Sequence, residues 1–352
     1  MKITSVIFLF VALALVASGV FLMNYARKSA PNDAAIDGYE YGNDGANVLE
    51  VSLSENDITK YSMTLTDCDI EIFGNTTSSY ATLRNFKPNQ YSSSISGKSY
   101  TVTDDISIKD YISFDGTGVK FAGVWQSLLS EYYSFRYKNT DRKSVTLYIN
   151  TEKDLNQISL KLNNCTLRLS DISGECDVSV SASNSLVELN SIDSSLVVLN
   201  SVESEFSVMN ITADTFNLTV NGGTFGCEGV SAKSATVNSE EIDLTLKNFN
   251  SRTLIANVKN GSFKYNTMFD ITSFARSIKI KEGEIFLNDV SVGSSSTTDK
   301  HDEYVGAIAI EGENANVDIT FGTAILLPEV TEEEGGETEA PETEEPEPPD
   351  EP

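Results

Sequence analysis

One frame, apolar-x-apolar-x-x-apolar, returns down the middle of this chain at an almost constant step. It holds Leu167, Leu169 and Ile172, then Val187, Leu189 and Ile192, then Phe206, Val208 and Ile211. Phe225, Cys227 and Val230 follow, then Leu244, Leu246 and Phe249, then Phe263, Tyr265 and Met268. A seventh row, Ile285, Leu287 and Val290, comes after a short insertion; the step is 20 residues once, 19 four times and 22 at the end. The letters change while the apolar positions stay, so what recurs is a burial requirement. A fixed period near 20 residues marks a solenoid, in which each repeat buries its apolar face only against its neighbours.

Each row also carries an earlier alternating pair: Ile158 and Leu160, Val178 and Val180, Leu196 and Val198, Phe216 and Leu218. Ala235 and Val237, Leu254 and Ala256, and Ile278 and Ile280 continue the series. Alternation of period two places such side chains on one face of a strand. Two short strands per row with no helix between them predict an all-β fold, a parallel β-solenoid of about 19-residue rungs, seven or more in number. Rungs stacked about 4.8 Å apart make a rod of roughly 30 Å, and the crossover rule makes it right-handed. The residue before the third apolar position is Asp171, Ser191, Asn210, Gly229, Asn248, Thr267 or Asp289, each small or turn-forming. Between the first two apolar positions stand Arg168, Glu188, Ser207, Gly226, Thr245, Lys264 and Phe286, a mostly polar column suited to a wet face.

A solenoid needs caps over its exposed ends. Residues 49–150 are expected to form an irregular β-rich N-terminal cap, with strands around "VLEVSL", "MTLTDCDIEIFG", "SYTVTDDISI" and "SVTLYIN". Trp125, Leu128, Leu129 and Tyr132 fall at helical spacing and predict one amphipathic helix there. Rungs and a C-terminal cap then occupy 151–327, where "YVGAIAI" and "ANVDITFG" read as a last irregular row closing the far end.

Ile3 to Ala26 carries no charge over 24 residues and is flanked by Lys2 and by Arg27–Lys28. At 1.5 Å per residue that helix is about 36 Å long, enough to span a bilayer. Residues 1–28 are therefore expected to be an uncleaved signal anchor, with a cleaved signal peptide as the alternative, and 29–48 a flexible linker. Residues 328–352 hold twelve acids and no base, and read as a disordered acidic Pro/Glu-rich tail. "LPEVT" at Leu327–Thr331 lacks the Gly of a sortase signal, and no apolar helix follows it. The formal net charge of -27 argues against nucleic acid, because phosphate contacts need clustered Lys and Arg.

The succession of membrane helix, "DCDIEIFG"-type strand, long hairpin region, "SVTLYIN" and stacked rows resembles the putative-adhesin domain family of bacteria, over residues 49 to about 325. The resemblance implies a right-handed β-solenoid and adhesion, and assigns no residue to either. The rows depart from it in largely lacking the "SG-D" turn, of which "SGECDVSV" at Ser173–Val180 is the nearest instance.

Catalytic chemistry finds little support. The one His, His301, lies in a loop with no second imidazole to make a metal set or a triad base. Cys68, Cys165, Cys176 and Cys227 form no CxxC and share the inward phase of the apolar residues, so free buried thiols are expected, with a Cys165–Cys176 disulfide as the alternative. Asp67, Asp69, Asp104, Asp105 and Asp110 fall outward by alternation, without a basic partner repeated down the rows. Trp125, Tyr132, Tyr133, Phe135 and Tyr137 are read first as a cover for one end of the core and second as a carbohydrate-stacking platform. No catalytic, cofactor-binding or metal residue is assigned. The expectation is a membrane-anchored, surface-displayed, non-enzymatic binding or structural module, single-pass in the cell membrane, whose partners are the membrane and an extracellular protein or glycan. An envelope-associated sensory or scaffold protein is the alternative, with a glycan-active enzyme a distant third.

Overall fold

The structure, a computed structural model, describes residues 40–41, 47–86, 91–104, 112–114, 119–121, 142–151, 154–298, 304 and 306–325. A single turn of chain is repeated. Each rung runs along one face, B, bends, runs back along the opposite face, A, and bends again into the next rung. Rung 2 is Gln157–Asn163 followed by Thr166–Ile172, and rung 3 is Asp177–Ser183 followed by 186–192. Rungs 4 to 7 are 196–202 with 205–211, 215–221 with 224–230, 234–240 with 243–249, and 253–259 with 262–268. Neighbours pair parallel and in register, Phe206 opposite Phe225 and Phe216 opposite Ala235. The fold is the parallel β-solenoid that the 19-residue period predicts.

Two bends per rung require two departures from extended backbone. One falls just after each B strand, where Asn164, Asn184, Glu203, Gly222, Glu241 and Asn260 all take positive φ. The other uses the small residues before the third apolar position: Asp171, Ser191, Asn210, Gly229 and Asn248 are left-handed, as is Asp289. Asn and Asp tolerate that region because a short polar side chain bonds locally, and Gly because it has no Cβ. Gly223 is compelled by contact as well, since a Cβ there would sit 2.2 Å from the Ser204 carbonyl oxygen one rung below.

Between the faces lies one continuous core. Ile72, Leu169, Leu189, Val208, Cys227, Leu246 and Tyr265 line one of its columns, all nearly inaccessible. Volumes compensate from rung to rung: Phe216 sits beside small Ala235, and its ring meets Phe249 edge-on at 5.4 Å. In rung 4 the inward pair is Val197 and Leu199, not Leu196 and Val198. Four successive apolar residues leave alternation ambiguous there, and pairing with Val178 and Val180 selects the phase.

Both ends differ from the plain reading of the period. Lys60–Thr66 and Cys68–Phe73, bent at left-handed Asp67, make rung 1 and pair directly with rung 2, Tyr61 opposite Ile158 and Ile70 opposite Leu167. Beyond rung 1, Ser99–Thr103 continues face B and Lys143–Tyr148 continues face A, both parallel to it. Antiparallel strands then close this end, Ser92–Ser96 on B, and Tyr80–Arg84 and Asn47–Ser52 on A.

At the far end the C-terminal strand Gly306–Ile325 does not close the stack. It lies between rung 7 and the seventh row, pairing Leu254 with Ile308 on one side and Ile278 with Ile310 on the other. Phe274–Lys281 and Ile285–Leu287 thus form the outermost rung, edged by antiparallel Val290–Gly293 and Ser295–Thr297. Two frame positions are exposed in consequence, Met268 at 47% and Val290 at 63%. The connection 269–273 spans the inserted rung by means of a short turn, Ile271–Ser273, whose Thr272 N–H donates to the Asp270 carboxylate at 2.7 Å. The helix expected around Trp125–Tyr132 lies outside the described residues, as do the N-terminal apolar segment and the acidic tail; no described helix is long and apolar enough to cross a membrane.

Candidate functional site

His301, Asp105, Asp110 and the aromatic group from Trp125 to Tyr137 lie outside the described residues. The remaining candidates have structural partners. Asp67 occupies a bend and accepts from the Asn164 side-chain amide of the next rung. Asp69 pairs with Arg142 at 3.1 Å. Asp104 is turned inward rather than outward, its side chain only 3% exposed. It accepts from the Thr66 N–H at 3.0 Å and pairs with Lys143, whose ammonium also lies 5.7 Å from the Phe86 ring centroid. Among the described residues no group of three or more His, Cys, Asp or Glu is placed to hold a metal ion.

All four cysteines are buried free thiols, so the Cys165–Cys176 bridge is not formed. Burial pushes the thiols of Cys68, Cys165 and Cys227 up, and that of Cys176 up to about 11. Burial thus favours the protonated thiol at neutral pH, the state of a packed structural cysteine. Glu313 and Asp270 are held below the ordinary carboxylate range, Glu313 by its hydrogen bond and ion pair with Lys281, and Asp270 by its bonds to Thr272. That is the reverse of what a general acid needs.

The outward surfaces are where the two faces diverge. Along rungs 1 to 7, face A presents Asp69, Glu71, Glu188, Glu205, Glu228 and Asp243 against Arg168, Lys247 and Lys264. Arg168 is shared between rungs, 3.0 Å from Glu188 and 3.9 Å from Glu71. Near the N-terminal end the same face carries an aromatic ladder, Tyr80 stacked on Tyr148 at 4.5 Å and Phe73 tilted against Tyr148 at 5.5 Å. Tyr80 and Tyr148 lie 19° from parallel on neighbouring strands, a cross-strand stabilising contact.

Face B is different. Over the same rungs its outward charges are Lys60, Lys161 and Lys259 against Asp177 and Glu240, and the other outward positions are Ser, Thr, Asn or Gln except Leu196, Val198, Val202 and Ile255. Two shallow concavities, together a trough, follow one another along this face beside the first bend of rungs 1 to 7. One part, about 470 Å³, runs over rungs 1 to 4 and is lined by Thr64, Thr66, Lys161, Asn163, Ser181, Ser183, Asn200 and Val202, with Leu65, Leu162 and Ala182 between them. The next, about 360 Å³, runs over rungs 5 to 7 and is lined by Thr219, Asn221, Asn238, Glu240, Asn257 and Lys259. Because the strands are in register, the linings are the same two columns of side chains. Hydrogen bonds tie neighbours across rungs, Asn200 donating to Ser181 at 3.2 Å and Asn257 to Asn238 at 2.9 Å. The trough is a row of amide and hydroxyl groups with little charge, interleaved with apolar Leu65, Leu162, Ala182 and Val220. Sequence reasoning passed it over because it followed the apolar columns; reading every second residue of the B strands, from Thr64 to Asn257, would have shown it.

One parallel stack with two long outward faces, ended by antiparallel strands, defines a β-solenoid. The chain belongs to the family described as Toastrack DUF4097, whose model matches residues 115–324. No curated protein matches it. Several solved structures are similar to it. A putative adhesin of Bacteroides fragilis is 12% identical with a TM-score of 0.36, over 78% of this chain and 96% of that one. Those of Parabacteroides merdae and Parabacteroides distasonis are 12% and 10% identical with TM-scores of 0.40 and 0.39, each over 78% of this chain and 95% and 96% of theirs. None of these descriptions names an enzyme.

Proposed function

We propose that this protein is a membrane-anchored, non-enzymatic binding module displayed outside the cell, a stiff rod that holds a polar contact face away from the bilayer. The observation that carries the reading is the unbroken parallel register from rung 1 through rung 7, which builds two long outward faces and commits the inward side chains to packing. The 24-residue uncharged segment near the N-terminus supports anchoring. Glu40–Tyr41 already pairs with Asn47–Val48, so the linker expected over 29–48 is shorter at its far end. The residues between the uncharged segment and Glu40 set the reach of the rod from the membrane, and the acidic residues beyond Pro328 keep its far end solvated. Intact cells treated with a Glu-specific protease are expected to lose the acidic tail without lysis. A tail cut only after the cells are opened, with a control showing that the protease crosses the wall, rejects outside display and favours an internal scaffold.

A further inference from the structure

We infer that the trough on face B binds an extended, uncharged polysaccharide strand lying along the rod axis. The inference rests on the binding-module reading and gives it a ligand class.

Four features of the trough lead there. It is long: seven rungs at about 4.8 Å place its ends roughly 30 Å apart, which suits a chain molecule rather than a compact one. Its lining repeats, so that the in-register column Thr64, Lys161, Ser181, Asn200, Thr219, Asn238 and Asn257 offers hydrogen-bonding groups at each rung spacing. The rise of one pyranose along an extended β-linked chain is close to that spacing, so successive sugars meet successive rungs. The lining is also nearly neutral, with Lys161 and Lys259 opposing Glu240 on a chain of net charge -27. Two lysines are too few for an anionic chain, and one carboxylate is too few for a cation.

The fourth feature is what the trough lacks. Val202, 48% exposed, is the one large apolar side chain standing free in it, whereas a protein partner needs several apolar or aromatic anchors. Its strands pair on both sides, so no free edge offers a peptide strand addition. Hydroxyl-rich, uncharged and linear is the ligand that remains. Without ring stacking each sugar contributes weakly, and affinity accumulates with the number of rungs engaged.

The test uses the full-length chain in detergent micelles, titrated calorimetrically with β-1,4-linked glucose and β-1,4-linked N-acetylglucosamine oligomers from disaccharide to hexasaccharide, with a polyuronate series of equal lengths alongside. The expected result is affinity for a neutral series rising about tenfold or more across it. Asn221→Trp, an exposed substitution in the trough, should lower that affinity by about tenfold, and Asn221→Asp should lower it without adding bulk. Glu188→Gln on face A should leave it unchanged. Thermal midpoints of each variant close to that of the parent chain exclude misfolding as the cause. No binding of either neutral series, binding independent of length, preference for the polyuronate, or indifference to both Asn221 variants overturns the proposal. Any of these outcomes leaves the protease result on display untouched, and a tail protected inside the cell leaves the titration untouched.

Discussion

Rungs 3 to 6 and the far end are made of the same turn of chain, yet they are held differently. In the middle every strand pairs with the rungs immediately before and after it in sequence, and each core residue is enclosed by copies of its own column. At the far end rung 7 pairs with the C-terminal strand, which in turn pairs with a segment that precedes it in sequence. The middle is built from local contacts added one step at a time, as nearest-neighbour stacks are. The end exists only once a distant segment has taken its place between two others, with its loop entropy to be offset by the ladders on both sides. Regularity in the middle therefore confers a stability that the end must obtain from specific close contacts.

Substitutions at matched sites should separate the two. Phe249→Ala in rung 6, at a side chain with no exposed area, is expected to cost about 3–5 kcal/mol in urea unfolding. Phe274→Ala in the outermost rung is equally buried and meets Phe269 and Phe321 at ring-centroid distances of 6.0 Å. It should act mainly through amide exchange at the end, with a smaller effect on the global midpoint. Equal costs at the two sites would show that the stack unfolds as one unit and would remove the distinction.

Backbone crossings come next in size. Gly223→Ala brings a Cβ to 2.2 Å from the Ser204 carbonyl oxygen at a left-handed bend, and should cost about 2–3 kcal/mol. Gly322→Ala brings one to 2.1 Å from the Met268 carbonyl oxygen, where the C-terminal strand passes the connection 269–273. It is expected to raise exchange on both sides of the inserted strand while rungs 3 to 5 stay protected. Uniform loss of protection would count against an independently anchored end.

Titration should divide the regions by pH. The Cys176 thiol ordinarily ionises near 9.0, and burial in the folded chain moves it to about 11. Its contribution is intact below pH 9 and is lost as pH rises through about 11, because the unfolded chain ionises first. Cys176→Ala should flatten the stability profile over that window. The far end faces the opposite limit. Glu313, lowered by Lys281, contributes above the ordinary glutamate range and stops contributing as pH falls through its depressed folded value. Acid should therefore loosen the two outermost rungs first, read as a falling protection factor at Lys281 after correction for intrinsic exchange, and Glu313→Gln should remove that acid-dependent fall. The smallest effect is expected at Asp270→Ala, read as faster exchange of the Thr272 amide that its carboxylate accepts from.

Much of the middle was legible from the residue pattern, and the reason is physical. Stacked rungs impose the same inward and outward alternation on each strand, so Leu244, Leu246 and Phe249 declare their burial wherever the chain places them. The bend column from Asp171 to Asn248 was equally readable, since few residue types accept positive φ. Rung 4 was misphased at Leu196 because four apolar neighbours carry no alternation, and only the pairing partner resolves it. The face B trough was readable in principle, since it consists of outward residues at a known phase. Its concavity was not, because depth depends on how neighbouring strands curve together.

The residue order by itself determined the repeat, the inward side chains and the bends, since these follow from side-chain polarity and backbone sterics within about 20 residues. Tertiary structure alone decided which rung lies beside which. Rung 1 joins rung 2 across residues 74–156, and the last strand enters between rung 7 and the row that follows it in sequence. Every parallel edge in such a stack offers the same ladder of N–H and C=O groups, so a local pattern cannot name its neighbour. The packing of the whole, through contacts such as Phe274 against Phe321 and the close passage of Gly322 beside Met268, selects it.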